Sequence, residues 1–408
     1  MPLTAATLLR VFIPFALGYF LSYVFRTVNA VIAPDLVAEI GLAPASLGLL
    51  TSAYFLTFAA FQLPLGLLLD RFGSRRVEAA LLLFAAAGAL LFARAESLTG
   101  LVLGRALIGL GVSACLMAAF KAFSTWFPPE RLPLANGVQM VSGGIGALTA
   151  TAPVEAALAF TDWRGIFLLL AGLTLAAAIA IFLIVPEGSA HHSRESLRQQ
   201  LQGLRTIFTS RAYWRLAPWA ILAQAAYLSI QGLWSGPWLR DVAGLERAAA
   251  ADVLFLIALA MIAGYLGFGA LTDRLSRRGV APRTVATAGM GSFLLVQLLL
   301  LGQWSFATVP LWFLFGLCGT ASILPYAVIA QAFPRTLAGR ANTALNLPVF
   351  VAAFAGQWAI GAIIGLWPEV AGHYHPDGYR AGFGLLLLLQ GGAALWYWWG
   401  GRREAEGK

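Results

Sequence analysis

The sequence predicts an all-α membrane protein of twelve transmembrane helices, arranged as two pseudo-symmetric bundles of six. Three observations predict it. Apolar blocks of spanning length follow one another along the chain, basic residues alternate between successive loops, and the two halves repeat a pair of motifs.

Composition sets the class. Of 408 residues, 60% are hydrophobic and 11% charged, and the mean hydropathy is +0.78. Soluble domains carry about 25% charged residues, so this chain lacks the polar surface needed to face water on all sides. A helix needs roughly 20 mostly apolar residues to cross the hydrocarbon core, and blocks such as Ala79 to Ala93 and Ile166 to Val185 supply them. Spans are expected at 9–33, 44–68, 77–94, 98–121, 134–158 and 165–186, then at 214–238, 249–271, 282–302, 308–332, 341–366 and 380–400. They are numbered span 1 to span 12. The expected division is a first bundle over 1–186, a linker over 187–213 and a second bundle over 214–408. Cys115 and Cys318 both lie in apolar blocks, which is no disulfide framework. The opening MPLTAATLLR has no small-residue cleavage site and is expected to lead into span 1 rather than to be a removed signal peptide.

The net charge of +9 is distributed by loop, which argues against a nucleic-acid partner. One set of loops holds 20 of the 27 basic residues and the alternate set holds five. Basic loops stay cytoplasmic during insertion, so both termini are expected inside, in a bacterial cytoplasmic membrane. Only Arg26 and Arg105 remain, and both fall well inside spans. In the linker, Leu197, Leu201, Leu204 and Ile207 recur at helical spacing, which predicts an amphipathic helix lying on the bilayer. Its arginines would sit near anionic headgroups.

The repeat is specific. Gly66-x-x-x-Asp70-Arg71-x-Gly73-x-Arg75-Arg76 recurs as Gly269-x-x-x-Asp273-Arg274-x-Ser276-Arg277-Arg278, at an offset of 203. Phe127-Pro128 with Ala135-Asn136 recurs as Phe333-Pro334 with Ala341-Asn342, at an offset of 206. Parallel repeats of this kind place a substrate site between the halves near the midplane.

The Gly66 to Arg76 stretch resembles the signature loop between helices 2 and 3 of the major facilitator superfamily, and Arg105-x-x-x-Gly109-x-Gly111 resembles a second motif of that family. The likeness covers essentially the whole chain, with Ser276 the one departure, where the pattern has glycine. It implies secondary active transport of a small solute by alternating access, by a monomer that uses no cofactor. It also implies that Gly66, Asp70, Arg71, Gly73, Arg75 and Arg76, with Asp273 and Arg274 from the second copy, form a conformational latch. The arginines would pair with carboxylates such as Glu78 or Glu130, and Asp70 would face the start of span 11.

Within the spans, Arg26 is the candidate substrate contact. It shares a helical face with Tyr19 and Tyr23, and a mid-membrane arginine needs a wet cavity or a partner. A guanidinium binds carboxylate or phosphate through two parallel bonds. The surroundings resemble the organophosphate and organic-anion branch of the family, whose second arginine in helix 7 is missing here. A singly charged carboxylate or a zwitterion therefore fits better than a phosphate ester. The alternative is a structural arginine satisfied by helix carbonyls. Further candidate contacts are Tyr23, Asn29, Gln139, Gln231, Trp234, Tyr326 and Asn346, with Tyr54, Gln62 and Gln224 nearby. Arg105 either tunes proton transfer or ties span 4 to span 1. Glu155 is read as the acidic residue well inside a span, hence the candidate proton carrier, or else as a partner of Arg105 or Arg164. Lys121 is expected as a snorkelling anchor. The Gly-rich VSGGIG run of span 5 echoes an exporter motif without its glycine-proline pair. His373 and His375 with Asp377 are read as a solvated loop rather than a metal site.

The expected function is ion-coupled symport or exchange of a small organic anion or amphoteric metabolite. The alternatives are proton-coupled drug or metabolite efflux and, from another class, a transporter-like sensor. Nothing in the sequence points to an enzyme or to ATP-driven transport.

Overall fold

The computed structural model describes residues 8–128, 131–186, 197–334, 337–369 and 372–406, and all twelve expected spans are helical within it. Nine helical stretches among the described residues are each long and apolar enough to cross a membrane. One of them, Pro44–Arg94, carries spans 2 and 3 together. It is divided at Gly73, whose φ of 77° and ψ of 161° leave the helical region. A Cβ in that conformation is strained, so glycine is the residue that lets the chain turn here. Spans 5 and 7 complete the twelve as interrupted helices.

The interruptions follow the repeat. Span 1 runs as Ile13–Thr27 and Asn29–Ile40, parted at Val28. Span 4 runs as Leu98–Gly111 and Cys115–Trp126. In the second half, span 7 has Arg211–Ser229 and Ser235–Asp241 flanking a wider π turn at Ile230–Trp234. Span 10 has Thr308–Gly319 and Leu324–Gln331 flanking a tighter 3₁₀ turn at Thr320–Ile323. The breaks of spans 7 and 10 thus answer those of spans 1 and 4 at about the offset that relates the motifs. Non-α turns free backbone groups, and at membrane depth they are tolerated where protein or water satisfies those groups. Span 5 also breaks, into Leu132–Thr149 and Ala152–Ala157.

The chain forms two compact units, residues 1–42 with 49–196, and residues 43–48 with 197–408. In the first, glycine sets how closely the helices approach. Gly143 lies against the rings of Tyr19 and Tyr23, where a Cβ would come within 2.6 Å and 2.7 Å. The VSGGIG run is therefore the surface on which span 5 crosses span 1, as small residues do in membrane interfaces. On span 4, a Cβ at Gly109 would meet the Tyr54 carbonyl of span 2 and stand 2.6 Å from Thr57 Oγ1, and one at Gly111 would stand 2.6 Å from Ala85 Cβ of span 3. The second motif thus spaces two glycines so that one faces each neighbour.

In the second unit, span 10 packs on span 8 in the same way, with Gly316 against the Ile257 carbonyl and a Cβ there 3.1 Å from Ala260 Cβ. Span 7 is tied to span 11, Ala338–Ile364, by a ladder of side chains. Tyr213 donates to the Ala344 carbonyl at 2.7 Å, Ser229 to Ala353 at 3.0 Å and the Trp234 indole to Gln357 at 2.8 Å. The linker helix Leu197–Phe208 forms as expected, but not simply as a rider on lipid. Leu204 and Ile207 are buried, and Gly203 packs on the Arg340 side chain of span 11. Leu201 remains exposed.

Candidate functional site: the buried charges of the first unit

Among the described residues, three charge-bearing side chains are buried: Arg26, Glu78 and Arg105, all in the first unit. Arg26 occupies the last turn of the first half of span 1, immediately before the break at Val28. The Thr27 hydroxyl donates to the Tyr23 carbonyl at 2.9 Å, and the chain re-enters helix at Asn29. The guanidinium of Arg26 lies 4.6 Å from the Tyr23 ring centroid, 5.6 Å from Phe58 and 5.8 Å from Tyr54. Aromatic faces attract a cation by about 2 kcal/mol or more once both are desolvated, so three rings hold this charge at 8% exposure.

Arg105 reaches the same place from span 4. Its Nη1 donates to the Phe25 carbonyl at 2.8 Å, and its guanidinium lies 5.3 Å from the Tyr54 ring. Tyr54, fully buried, is therefore shared by both arginines, and its hydroxyl donates to the Ser22 carbonyl at 3.3 Å. Arg105 fixes the peptide that precedes Arg26, and so fixes where Arg26 projects. The sequence singled out all three residues without indicating that they form one cluster.

The other expected contacts divide by what they hold. Asn29 donates to Thr51 Oγ1 at 3.0 Å and ties span 1 to span 2. Gln139 donates to the Phe15 carbonyl at 3.1 Å and ties span 5 to span 1. Each keeps a buried oxygen without a hydrogen-bond partner. Gln231 sits in the π turn of span 7 and donates toward Met261 Sδ at 3.5 Å, while Trp234 closes the seam with span 11. The Tyr326 hydroxyl donates to Asn346 Oδ1 at 2.9 Å, and both residues are half-buried. Tyr19 meets Tyr23 edge to face at 5.1 Å.

The loop motif is arranged differently from expectation in three respects. Asp70 forms an ion pair with Lys121 of span 4, so Lys121 is a partner rather than a free anchor in lipid. Arg75 turns to the end of span 6, Trp163–Ile184, donating to the Val185 carbonyl at 3.2 Å with its guanidinium 5.3 Å from Phe182. Glu78 does not join the arginines: it points into the bundle and is fully buried. Arg71 stacks on Phe72 at 5.2 Å, Arg76 is exposed, and Gly66 is half-buried one turn before Asp70. Glu130 lies outside the described residues. In the second copy, Asp273 pairs with Arg277 of its own helix at 2.7 Å, and Arg274 is exposed. There the helix runs through Ser276, and the turn falls at Gly279, with φ of 84°. Ser276 can replace the glycine because the reversal has moved.

Glu155 lies in the short helix Ala152–Ala157 beyond the break of span 5 and is half-buried. Arg164, one of its expected partners, binds Glu39 instead, at 2.6 Å. That guanidinium, with the Trp163 indole at 2.6 Å, holds the exposed Glu39 carboxyl below the usual carboxylate range. At the corresponding end of the second unit, His373 lies 2.8 Å from Asp241 Oδ1, and Tyr379 donates to the other oxygen at 2.5 Å. His373 and Asp241 border an open cleft of about 680 Å³. Among the described residues no group of three or more His, Cys, Asp and Glu side chains is placed to hold a metal ion.

Comparison with known proteins agrees with this architecture. The model of the Major Facilitator Superfamily matches residues 15–356. A probable sulfoacetate transporter of Cupriavidus necator is 27% identical over 279 residues, covering 64% of each chain. A hexuronate transporter of Escherichia coli is 27% identical over 227 residues, covering 52% of each. Each match thus spans less than two thirds of the relative's own length. The crystal structure of a bacterial homologue of the human lysosomal transporter Spinster superposes with a TM-score of 0.76 at 17% identity, covering 96% of both chains, which is a likeness of fold. A family model matched from the first span into the eleventh, on a chain whose signature loop turns at Gly73 and whose helices break in step across its two halves, identifies the chain as a member of the major facilitator superfamily.

Proposed function

We propose that the chain is a secondary active transporter of a small organic anion, working by alternating access, with Arg26 as the residue that binds the anionic group. The observation that carries this reading is the setting of Arg26. It is a cation at a helix break, held among Tyr23, Tyr54 and Phe58. The faces of those rings steady it, and a guanidinium is the group that binds a carboxylate or sulfonate through two parallel bonds. Two relatives are named for substrates that carry acid groups, sulfoacetate and hexuronate, and this chemistry is what Arg26 suits. Tyr23 would line the contact. Asn29, Gln139 and Trp234 act mainly through the helix ties they make. The basic loops favour the cytoplasm as the side of both termini, in a bacterial inner membrane. Coupling is to a proton or a counter-substrate.

The test is counterflow of radiolabelled glucuronate and sulfoacetate into proteoliposomes of the full chain. Wild type is expected to exchange at least one of them. Removing one side of a buried charge pair costs about 3 kcal/mol or more, so Arg26→Ala is expected to lose roughly a hundredfold in apparent affinity. Arg26→Lys keeps the charge without the fork and falls between. Transport of cationic dyes instead, with Arg26→Ala unaffected, would hand the case to drug or metabolite efflux. Binding without flux would make the chain a sensor.

A further inference from the structure

The sequence expected Glu78 among the loop arginines, and nothing in the transport reading uses it. It belongs to span 3, five residues beyond the turn at Gly73, and its side chain is completely buried. Both carboxyl oxygens are out of reach of water and have no hydrogen-bond partner by distance and angle. Span 1 makes room for the group with Gly18, where a Cβ would collide with one carboxyl oxygen, 3.6 Å from Glu78 Cδ and 3.8 Å from Cys115 Sγ. Cys115 is the first residue of span 4 after its break, and its thiol is the polar group set against the carboxyl.

The ionisable groups on the packed elements are few. Span 1 offers Tyr19, Tyr23 and Arg26, the last held among the rings of Tyr23, Tyr54 and Phe58. Span 4 offers Arg105, bound to the Phe25 carbonyl, then Cys115 and Lys121, the latter engaged with Asp70. Span 3 itself offers Arg75 and Arg76, the first directed to Val185 and Phe182. None of these is a positive charge on the carboxyl. An ionised carboxylate in such a place would lose its hydration and gain nothing in return, so the group takes a proton instead. In this state Glu78 is a neutral acid. It sits where span 4 is already broken, so a shift of either half of span 4 against span 1 would let water in, and the acid would then give its proton to that water.

We propose that Glu78 is the binding site of the coupling proton, held as a neutral acid between Gly18 and Cys115 and released when the helix break at Val112–Ala114 opens to water. Glu155, half-buried in a short terminal helix, lacks this sealed setting. The inference deepens the anion-transport reading and rests on it only for the meaning of the coupling. A proton carried with an anion cancels its charge, so the pH gradient drives accumulation directly.

The experiment has a substrate-free arm and a transport arm, both on the reconstituted full chain. Infrared difference spectra across pH steps should show a protonated-carboxyl band in wild type that is lost in E78Q and kept in E155Q. Cys115→Ala removes the thiol neighbour and is expected to shift the same band to higher frequency without abolishing it. That variant decides the matter even if E78Q fails to fold. A band unchanged in both E78Q and Cys115→Ala overturns the proposal. In the transport arm, one pH unit corresponds to about 1.4 kcal/mol, or roughly tenfold accumulation of glucuronate per coupled proton. E78Q is expected to bring that ratio to about one while glucuronate counterflow persists at a reduced rate. Undiminished accumulation in E78Q overturns the proposal. Absence of glucuronate and sulfoacetate transport by wild type sinks the substrate reading instead, and the infrared band still decides whether Glu78 holds the proton.

Discussion

The two units are built on the same frame and filled differently. Gly109 packs on the backbone of Tyr54 and on Thr57, and Gly316 packs on Ile257 and Ala260. Tyr54 and Ile257, like Thr57 and Ala260, stand 203 residues apart, the offset of the signature motif. Arg105 and Trp312 stand 207 apart, and both are buried. Where the first unit has a tyrosine between two arginines, the second has isoleucine and tryptophan. Among the described residues the second unit's buried polar side chains are neutral, as in the Gln297–Gln390 pair, whose amides exchange bonds at 3.0 Å and 2.9 Å. The lesson is that the repeat conserves close approach between helices, while buried charge, among the described residues, is placed in one copy. Frame and chemistry can therefore be broken separately.

The largest effect on stability is expected from Arg105→Ala. It removes a charged donor from the Phe25 carbonyl and leaves a space beside Tyr54, which together cost about 3 kcal/mol. Thermal unfolding in detergent would measure it. The neutral counterpart, Gln297→Leu, leaves Gln390 without its mate and should cost about 1 kcal/mol, because hydrogen bonds between membrane helices are individually modest. Equal losses would show that the buried charges are no more demanding than the amides, and the contrast between units would fail.

Gly109→Ala and Gly316→Ala test the frame. Each inserts a methyl where a backbone carbonyl already stands, so each should cost about 1–3 kcal/mol through overpacking. If the frame is common, the two losses are similar. Glucuronate transport should suffer more from Gly109→Ala, which displaces Tyr54 and with it both arginines. A large stability difference between the two glycines would mean that the motif's match across the halves is one of sequence alone.

The spans, the repeat and the two intramembrane arginines were legible because each is a local contrast, an apolar run or a charge within one. The breaks were not. Val28, Ile230 to Trp234 and Thr320 to Ile323 contain ordinary span residues, and their departure from α geometry comes from packing. The linker helix was legible as amphipathic, but its packing on span 11, with Gly203 against Arg340, is something no local pattern announces. Glu78 was misplaced for a clearer reason. It follows Arg75-Arg76 by two residues and was read with the charged loop, although it also opens the apolar run through Ala93. Counting helical turns from Gly73, rather than charges from Arg71, would have put it inside the bundle.

The turns sharpen the comparison further. Gly73→Ala forces a Cβ into a left-handed conformation and should cost about 1–2 kcal/mol. Ser276→Gly should do no such harm at its own turn, since that residue is helical, whereas Gly279→Ala should resemble Gly73→Ala. Unfolding midpoints of the three variants would show whether the reversal has moved by three residues, as the backbone indicates.

The smallest effect belongs to the motif aspartates, and it is the most discriminating. Asp70 and Lys121 are each about one third exposed, while Asp273 and Arg277 are 64% and 78% exposed. Exposed pairs contribute about 0–1 kcal/mol and are screened by salt. Asp273→Asn should therefore leave stability unchanged within error at any ionic strength. Asp70→Asn should lower it by a few tenths to about 1 kcal/mol at low salt, and less at high salt. The reason is that Asp70 joins two different spans, whereas Asp273 only decorates its own helix. A measurable, salt-dependent loss in Asp70→Asn with none in Asp273→Asn would assign the holding function of the motif to the first copy, the same copy that contains every buried charge described here.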